Sequence, residues 1–504
     1  MRPVKPTPVS DPLAVPGDAP SRILLIGCGA FARQAHLPAL AKAGKSIRLV
    51  AVVDRACMAE DVRAACARAG CRGDVSFVEF PELHDNDRYS AKFQASARTS
   101  DTRAPHPDPQ YIEALASRLP EVDAVVISSP EGTHGPYIRW ALERGLPTLV
   151  DKPLTVRQAL GETLSDPEEL IYDWLDFCQR ARPGVPFMLA AQRRYQGIYR
   201  QIAARVRREY LTSGYGPTYV QCLTNDGLWH APGDYATQPT YRHGAGKLIH
   251  TGYHVLDIVP WIIRHAQGAE RPGAAVARIC SATIFASGFR PADAAAAWTP
   301  EEGKEAACAT YPATLGEVNA ALLVTLRDDR DRTVCIIQIG TLHEGLSLNP
   351  MAPAETLDKR RVQAEAGRNK QEILSIYMGP TAAIWLRRFA KLTGSAGTEL
   401  GDRDHLEIVH GRNPRVAGAP AFLEVQTLTY EADDDAPTAE FLRALRDPTP
   451  VVISPVNDHG IGVRLLAAAY HSMEAGEPVR VSFGAREWAM PPGSPLGPGT
   501  EASV

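Results

Sequence analysis

Residues 22–54 read RILLIGCGAFARQAHLPALAKAGKSIRLVAVVD: an apolar run, a glycine turn, a helical stretch closed by Gly44, and a second apolar run ending in Asp54. The runs have the length and composition of buried strands, and the stretch between them has helical periodicity. Gly27, Gly29 and Ala32 stand in a G-x-G-x-x-A arrangement directly between the first strand and the helix. The first glycine permits the tight turn, the second lets a pyrophosphate approach the backbone, and the small third residue lets the helix pack on the sheet. The helix N-terminus, entered through Ala30 and Phe31, then faces the anion. Alone such a motif is weak, because glycine turns join strands to helices in many folds. Its setting strengthens it: Asp54 lies 27 residues after Gly27, where a carboxylate accepts hydrogen bonds from adenosine ribose hydroxyls. The expected cofactor is NAD or NADP. Asp54 favours NAD, since a 2′-phosphate would meet a negative charge, whereas Arg55 beside it offers a partner for that phosphate or for adenine and keeps NADP open.

Outward from this unit the alternation continues. EDVRAACARAG is a helix with Gly70 as its C-cap, and VSFVEF is a third strand. YIEALASRL, VDAVVISS, HGPYIRWALERG and PTLVDKP resume the rhythm after a polar stretch, Pro81 to Pro109, that reads as an inserted surface loop. An acidic helix around Pro167 to Gln179 and the strand PFMLAA close a first domain near residue 190. Short apolar runs with crossover helices predict a parallel sheet. Beyond it TYVQCLT, AVARICSATIF, VNAALLVTLRD and TVCIIQIG follow one another with turns between, which favours a second, largely antiparallel sheet. Two polar regions, Pro291 to Pro312 and Ala364 to Arg415, read as loops or insertions. The expected fold class is α/β. Its parts are an arm over 1–20, a doubly wound dinucleotide domain over 21–190, a substrate domain over 191–485, and a disordered tail over 486–504.

The whole-chain numbers restrict the partners. With 504 residues, 54 basic against 58 acidic, the chain has no charge excess to draw it to nucleic acid or a membrane surface, and a small-molecule substrate is expected. No apolar run approaches the roughly 18 residues of a membrane helix. Nine scattered cysteines without a C-x-x-C pair read as reduced thiols of a cytoplasmic protein.

SSPEGTHGPYIRWALERGLPTLVDKPLT (128–155) and GAGKLIHTGYHVLDIVPWI (244–262), with AAAYHSMEAGEPVRVSF near the end, resemble the Gfo/Idh/MocA oxidoreductases. That family has a proline turn after a strand, a His opening the next helix, a strand ending in Glu-Lys-Pro, and later a helix carrying Asp-x-x-x-His followed by Asp. The matching positions are Pro130, His134, Asp151-Lys152-Pro153, and His250, His254 and Asp257. The resemblance implies a Rossmann domain followed by an α/β domain with an open, mostly antiparallel sheet that serves oligomer contacts in a dimer or tetramer. It also implies that Ser129, Pro130, His134, Asp151 and Lys152 join Gly27, Gly29, Ala30, Phe31, Ala32, Asp54 and Arg55 around the cofactor. This chain departs from the pattern twice: Asp151 shortens the usual Glu by one methylene but keeps a carboxylate able to orient Lys152, and His250 replaces the usual Asp.

Hydride exchange at an alcohol carbon needs a group to take the hydroxyl proton and another to stabilise developing alkoxide. Lys152, at the end of a strand, fits the second role, and His254, titrating near neutrality, fits the first. His250, Asp257, Arg194, Tyr195, Trp229, Tyr241 and Arg242 are the candidate substrate contacts. KLIHTGYHVLD (247–257) also has H-x-x-x-H metal spacing, but Thr251 stands where metalloproteases carry Glu, and no metal is expected. Its apolar residues run almost all round, so the helix is expected in the core, with Gly252 marking a close approach. Lys152 alone reads equally as an exposed turn lysine. The expected activity is reversible NAD(P)-dependent oxidation of a secondary alcohol of a sugar-like or small polar metabolite. Alternatives are a tightly bound NAD that drives elimination, glycosidic cleavage or epimerisation, an imine reductase, and a non-catalytic dinucleotide-binding sensor.

Overall fold

The computed structural model describes residues 19–71, 75–79, 109–156, 167–226, 241, 246–267, 278–303, 316–342, 371–389, 405–416, 422–429, 434–447, 452–484 and 487–488. Most of the arm, the Pro81 to Pro109 stretch up to residue 108, and most of the tail lie outside them.

Strands β1 (Ser21–Ile26), β2 (Ile47–Asp54), β3 (Ser76–Glu79), β4 (Ala124–Ile127), β5 (Thr148–Val150) and β6 (Phe187–Leu189) form one sheet in the order β3-β2-β1-β4-β5-β6, every pair parallel. Helices α1 (Leu37–Lys42, entered through a π-helical turn Ala32–His36), α2 (Ala59–Ala69), α3 (Pro109–Ala116), α4 (His134–Glu143) and α5 (Glu168–Arg180) supply the connections. The strands are buried on both faces, which is why they read as unbroken apolar runs: Leu24, Ile26, Val125 and Ile127 face one core, and Ile23, Leu25, Ala124 and Val126 the other. Strand order reverses between β1 and β4, and the crevice at that switch point is where open α/β sheets bind ligands.

The second sheet has nine strands in the order β14-β13-β12-β11-β7-β10-β9-β8-β15, and only β7 with β10 is parallel. Its members are β7 (Tyr219–Asn225), β8 (Ile279–Phe289), β9 (Asn319–Asp328), β10 (Thr333–Leu342), β11 (Gln371–Met378), β12 (Ala382–Phe389), β13 (His405–Arg412), β14 (Phe422–Thr429) and β15 (Val479–Ser482). Helices α6 (Gly197–Ser213) and α7 (Tyr253–Gln267) pack on one face, and the C-terminal α10 (Gly460–Ala475) joins them along β8. On the strands' other side Phe285, Leu323, Tyr377, Leu423 and Val425 stand exposed.

Two expectations need correction. Ala364 to Arg415 is not a loop region: β11, β12 and all of β13 fall in it, because EILSIYM and AAIWLRR each largely alternate one side chain to the helices and one to the outside. Pro291 to Pro312 contains α8 (Pro291–Trp298) and a short 3-10 turn, Glu301–Gly303. A further helix, α9 (Ala436–Ala444), comes from the far end of the chain yet packs on α1, placing Phe441 and Leu442 in the core beneath the glycine turn. The dinucleotide domain is thus completed by residues well beyond 190. No helix among the described residues is long and apolar enough to cross a membrane.

Candidate active site

The turn after β1 is built by two constraints. Gly27 has φ of +83°, and a Cβ there would stand 2.5 Å from the Ser129 amide nitrogen and 2.6 Å from the Ser128 carbonyl oxygen, the chain leaving β4. Gly29 has the opposite surroundings: nothing lies within 4 Å of where its Cβ would be, and Gly29 and Ala30 are exposed at the helix entrance. Phe31 is half-buried and Ala32 sits in the core below. The Asp54 carboxylate is held at the end of β2 by the amides of Cys28 and Arg55, each donating at 2.8 Å, and the Arg55 side chain extends outward. An open glycine beside an anchored carboxylate fits the pyrophosphate and ribose of NAD(P), respectively.

Across the switch point the loop after β4 carries Ser129, whose hydroxyl accepts from Thr133 at 2.7 Å, and the exposed Pro130. His134 is buried with one ring nitrogen 2.7 Å from the Ser129 carbonyl and the other 3.1 Å from that of Pro153, so it laces the β4 and β5 loops together and presents no free polar atom to a cofactor. Asp151 ends β5. Its carboxylate accepts from Ser128 at 2.5 Å and pairs with the His36 ring at 3.0 Å, and the other His36 nitrogen meets Thr438 of α9 at 2.7 Å. Burial pushes the Asp151 carboxyl up, and His36 with Ser128 more than offsets this, leaving it below the usual carboxylate range. Asp151 is therefore turned toward α1 and α9, and orients Lys152 by charge and chain connectivity alone.

The Lys152–Pro153 peptide is cis. The Lys152 ammonium donates to the His250 carbonyl oxygen at 2.5 Å, bridging the parallel sheet to the π-helical turn Leu248–Gly252 that precedes α7. Burial lowers the Lys152 pKa despite the negative charges of Glu131, Asp151 and Asp226. Burial and the Lys152 charge bring His250 down to about 4. His254, one turn on, lies well below the ordinary histidine value, first through burial and then through Lys152 and Arg193, with Asp257 opposing. Among the described residues no hydrogen bond reaches the His254 ring, and the residue is half-buried.

Residues 21–169 match the oxidoreductase family with an NAD-binding Rossmann fold, Gfo/Idh/MocA. These residues belong to the Gfo/Idh/MocA oxidoreductases. The family is one of NAD(P)-dependent oxidoreductases, and the match covers the dinucleotide-binding part of the chain. No curated protein matches the sequence. Among solved structures, the chain resembles a myo-inositol dehydrogenase from Corynebacterium glutamicum (18% identity, 92% of this chain and 99% of that one, TM-score 0.50). It also resembles the 3-ketoreductase KijD10 from Actinomadura kijaniata, solved with NADP and TDP-benzene (14%, 90% and 98%, TM-score 0.52). A third similar structure is a super-repressor mutant of Gal80p from Saccharomyces cerevisiae (13%, 94% and 100%, TM-score 0.54). At these identities the likeness is one of fold, shared by enzymes and a repressor alike.

Several expected substrate contacts face elsewhere. Arg194 donates to both Asp257 oxygens at 2.9 and 2.5 Å and to Asp458 at 2.5 Å, and Asp257 also meets the His459 ring at 2.9 Å. Arg264 pairs with the second Asp458 oxygen. All five side chains are buried. Burial pushes Asp257 up, but Arg194 and His459 hold it far below the carboxylate range. Arg194 and Asp257 thus clamp α7 to the turn before α10, because an unpaired charge in that core would be costly. Tyr195 donates to Glu440 of α9 at 2.6 Å in the interior, and Tyr241 is buried. Gly252 is closed in by Leu248, the Lys247 carbonyl and Thr341 of β10, so the close approach there is protein packing. Trp229, His230 and Arg242 lie outside the described residues.

The structure also brings in groups the sequence reading missed. Asp226, at the end of β7, accepts from the buried Lys247 ammonium and from Thr251 at 3.4 Å, and its charge acts on both Lys152 and His250. A carboxylate directly after a strand, on the segment that leads to Trp229, was the available signal. Glu131, next to Pro130, is another. Arg193 and His36 carried no signal, since their roles arise from partners in β11 and α9 far along the chain.

Proposed function

We propose that this chain is an NAD-preferring dehydrogenase that interconverts a secondary alcohol and its ketone on a sugar-like or small polar metabolite. The observation that carries the reading is the Lys152 ammonium beside a His254 ring that has no hydrogen-bond partner among the described residues, at the switch-point edge next to the glycine turn. When bound, NAD(P) supplies the hydride acceptor or donor, held by Gly27, Gly29 and the helix entrance at its pyrophosphate and by Asp54 at its ribose. Lys152 stabilises charge developing on the substrate oxygen. The neutral His254 ring takes the hydroxyl proton in oxidation, and Lys152 with Arg193 disfavours its retention there, so the proton passes on to solvent through the cleft. His250 contributes its carbonyl to Lys152 and a neutral imidazole to the pocket wall, while Asp226 supplies the carboxylate that the helix lacks at position 250. The Asp54 carboxylate, fixed at the end of β2 by the Cys28 and Arg55 amides, would repel a 2′-phosphate, which supports NAD. The exposed apolar residues on the open sheet support self-association of the chain through that face.

The test follows nicotinamide absorbance with polyols, cyclitols and their keto forms. Lys152→Met and His254→Ala are expected to lose about 100- to 10,000-fold in kcat while still binding dinucleotide. Variants as fast as wild type would remove the mechanism, and tighter binding of NADP than NAD by wild type would remove the Asp54 argument.

A further inference from the structure

Helix α2 ends in a turn that places two cysteines side by side. Gly70 takes φ of +78°, its amide donates to the Ala67 carbonyl at 3.1 Å, and the Cys71 amide donates to the Cys66 carbonyl at 3.0 Å. This is the Schellman arrangement, in which the residue three from the helix end and the second residue past it lie in side-chain contact. Here both are cysteines, and their thiols share a hydrogen bond. Cys66 is buried in the core that also contains Cys28 of the glycine turn, whereas Cys71 packs on that core from outside and is half-exposed. Cys57, by contrast, is exposed in the turn leading to α2.

We propose that Cys66 and Cys71 are a peroxide-oxidisable dithiol pair that closes a disulfide beside the dinucleotide-binding turn. The half-exposed sulfur of Cys71 is the one an oxidant reaches, and donation from the Cys66 thiol favours its thiolate, the nucleophilic form. The Cys71 sulfur attacks one oxygen of hydrogen peroxide, the O–O bond breaks, and the other oxygen leaves as water with the thiol proton, giving a sulfenic acid at Cys71. The Cys66 sulfur then attacks the Cys71 sulfur, the S–O bond breaks, and the hydroxyl leaves as a second water with the Cys66 proton. Two electrons pass from the sulfur pair to one peroxide. The main-chain hydrogen bond already holds the two residues together, so closing the disulfide joins neighbours rather than distant segments.

The experiment treats the full chain with hydrogen peroxide, blocks remaining thiols with iodoacetamide, and maps tryptic peptides. Cleavage after Arg68 separates the two cysteines, so the disulfide joins peptides 64–68 and 69–72. The expected result is loss of alkylation at both Cys66 and Cys71, appearance of that joined pair, and its disappearance with dithiothreitol. In Cys66→Ser, Cys71 is expected to stop at the sulfenic acid or beyond. Alkylation of both residues after peroxide, as in untreated protein, overturns the proposal, as does linkage of either one to Cys28 or to another chain. The wild-type map decides the matter even where the serine variant does not fold.

Discussion

At the scale of residues, the proposed chemistry rests on two side chains whose charge states are set first by burial and then by neighbouring charges, that of Lys152 acting on His254. His254 and Lys152 both titrate below their ordinary values. Oxidation needs a neutral His254, so its rate is expected to hold as pH falls through 6.5 and to drop only at more acidic pH. Both directions use the Lys152 charge and are expected to decline on the alkaline side below the 10.5 of an ordinary lysine. Initial rates in both directions across pH check the pair; an acid limb at 6.5 in oxidation would contradict the buried, cation-flanked imidazole. Lys152, His250, His254 and Asp54 were legible in sequence because each ends a strand or shares a helical turn with a recognisable spacing. Asp257 shared that spacing too, yet it belongs to a different constellation, since the helix that carries it passes from the cleft into the interior within one turn.

At the scale of elements, the π-helical turn that carries His250 is held at its start by Glu317. That carboxylate accepts from the Leu248 amide and the Tyr470 hydroxyl, each at 2.9 Å, and burial raises its pKa. Its carboxyl group fills the space a Cβ on Gly246 would need. Gly246→Ala is therefore expected to displace Glu317, lower the melting temperature and cut turnover together. Glu317→Ala, leaving a buried amide and hydroxyl unpartnered, is expected to cost about 1 to 3 kcal/mol in denaturant unfolding. If either variant keeps wild-type stability, this anchoring is wrong. The glycine-rich entry was visible in sequence, but its physical cause, a carboxylate arriving from 71 positions further on, was not. The same limit hid β11, β12 and β13, whose polar outer residues resemble loop composition until the helices that cover their inner face are known.

At the scale of the whole molecule, Arg194, Asp257, Asp458, His459 and Arg264 join the segment after β6, helix α7 and the entry to α10 into one buried charged cluster. Arg194→Met, which leaves Asp257 with His459 and Asp458 with Arg264 but removes the cation they share, is expected to destabilise the fold by about 3 to 5 kcal/mol, read as a large shift of the urea midpoint. The buried His265 and His250 are both held down to about 4. Their unfolded forms titrate near 6.5, so between roughly pH 6.5 and 4 the unfolded chain binds more protons than the folded one. Acid in that window therefore destabilises, by about 1.4 kcal/mol per unit of depression for each group. Sedimentation of wild type against Leu423→Glu tests the open sheet: a mass lowered in the variant supports self-association through that face, and a monomeric wild type removes it.

By itself the sequence determined the parallel sheet and the dinucleotide turn, and it singled out Lys152 and His254 as the candidates on which the proposed mechanism rests. All of these depend on local periodicity and on residues within one strand-turn-helix unit. Only the tertiary structure decided which polar groups share the cleft. Asp226, Glu131 and Arg193 gather around Lys152 and His254, while Asp257 and Arg194 are consumed in the interior. Burial and charge compensation act between segments far apart in the chain, and no spacing along it records which carboxylate a given cation will meet.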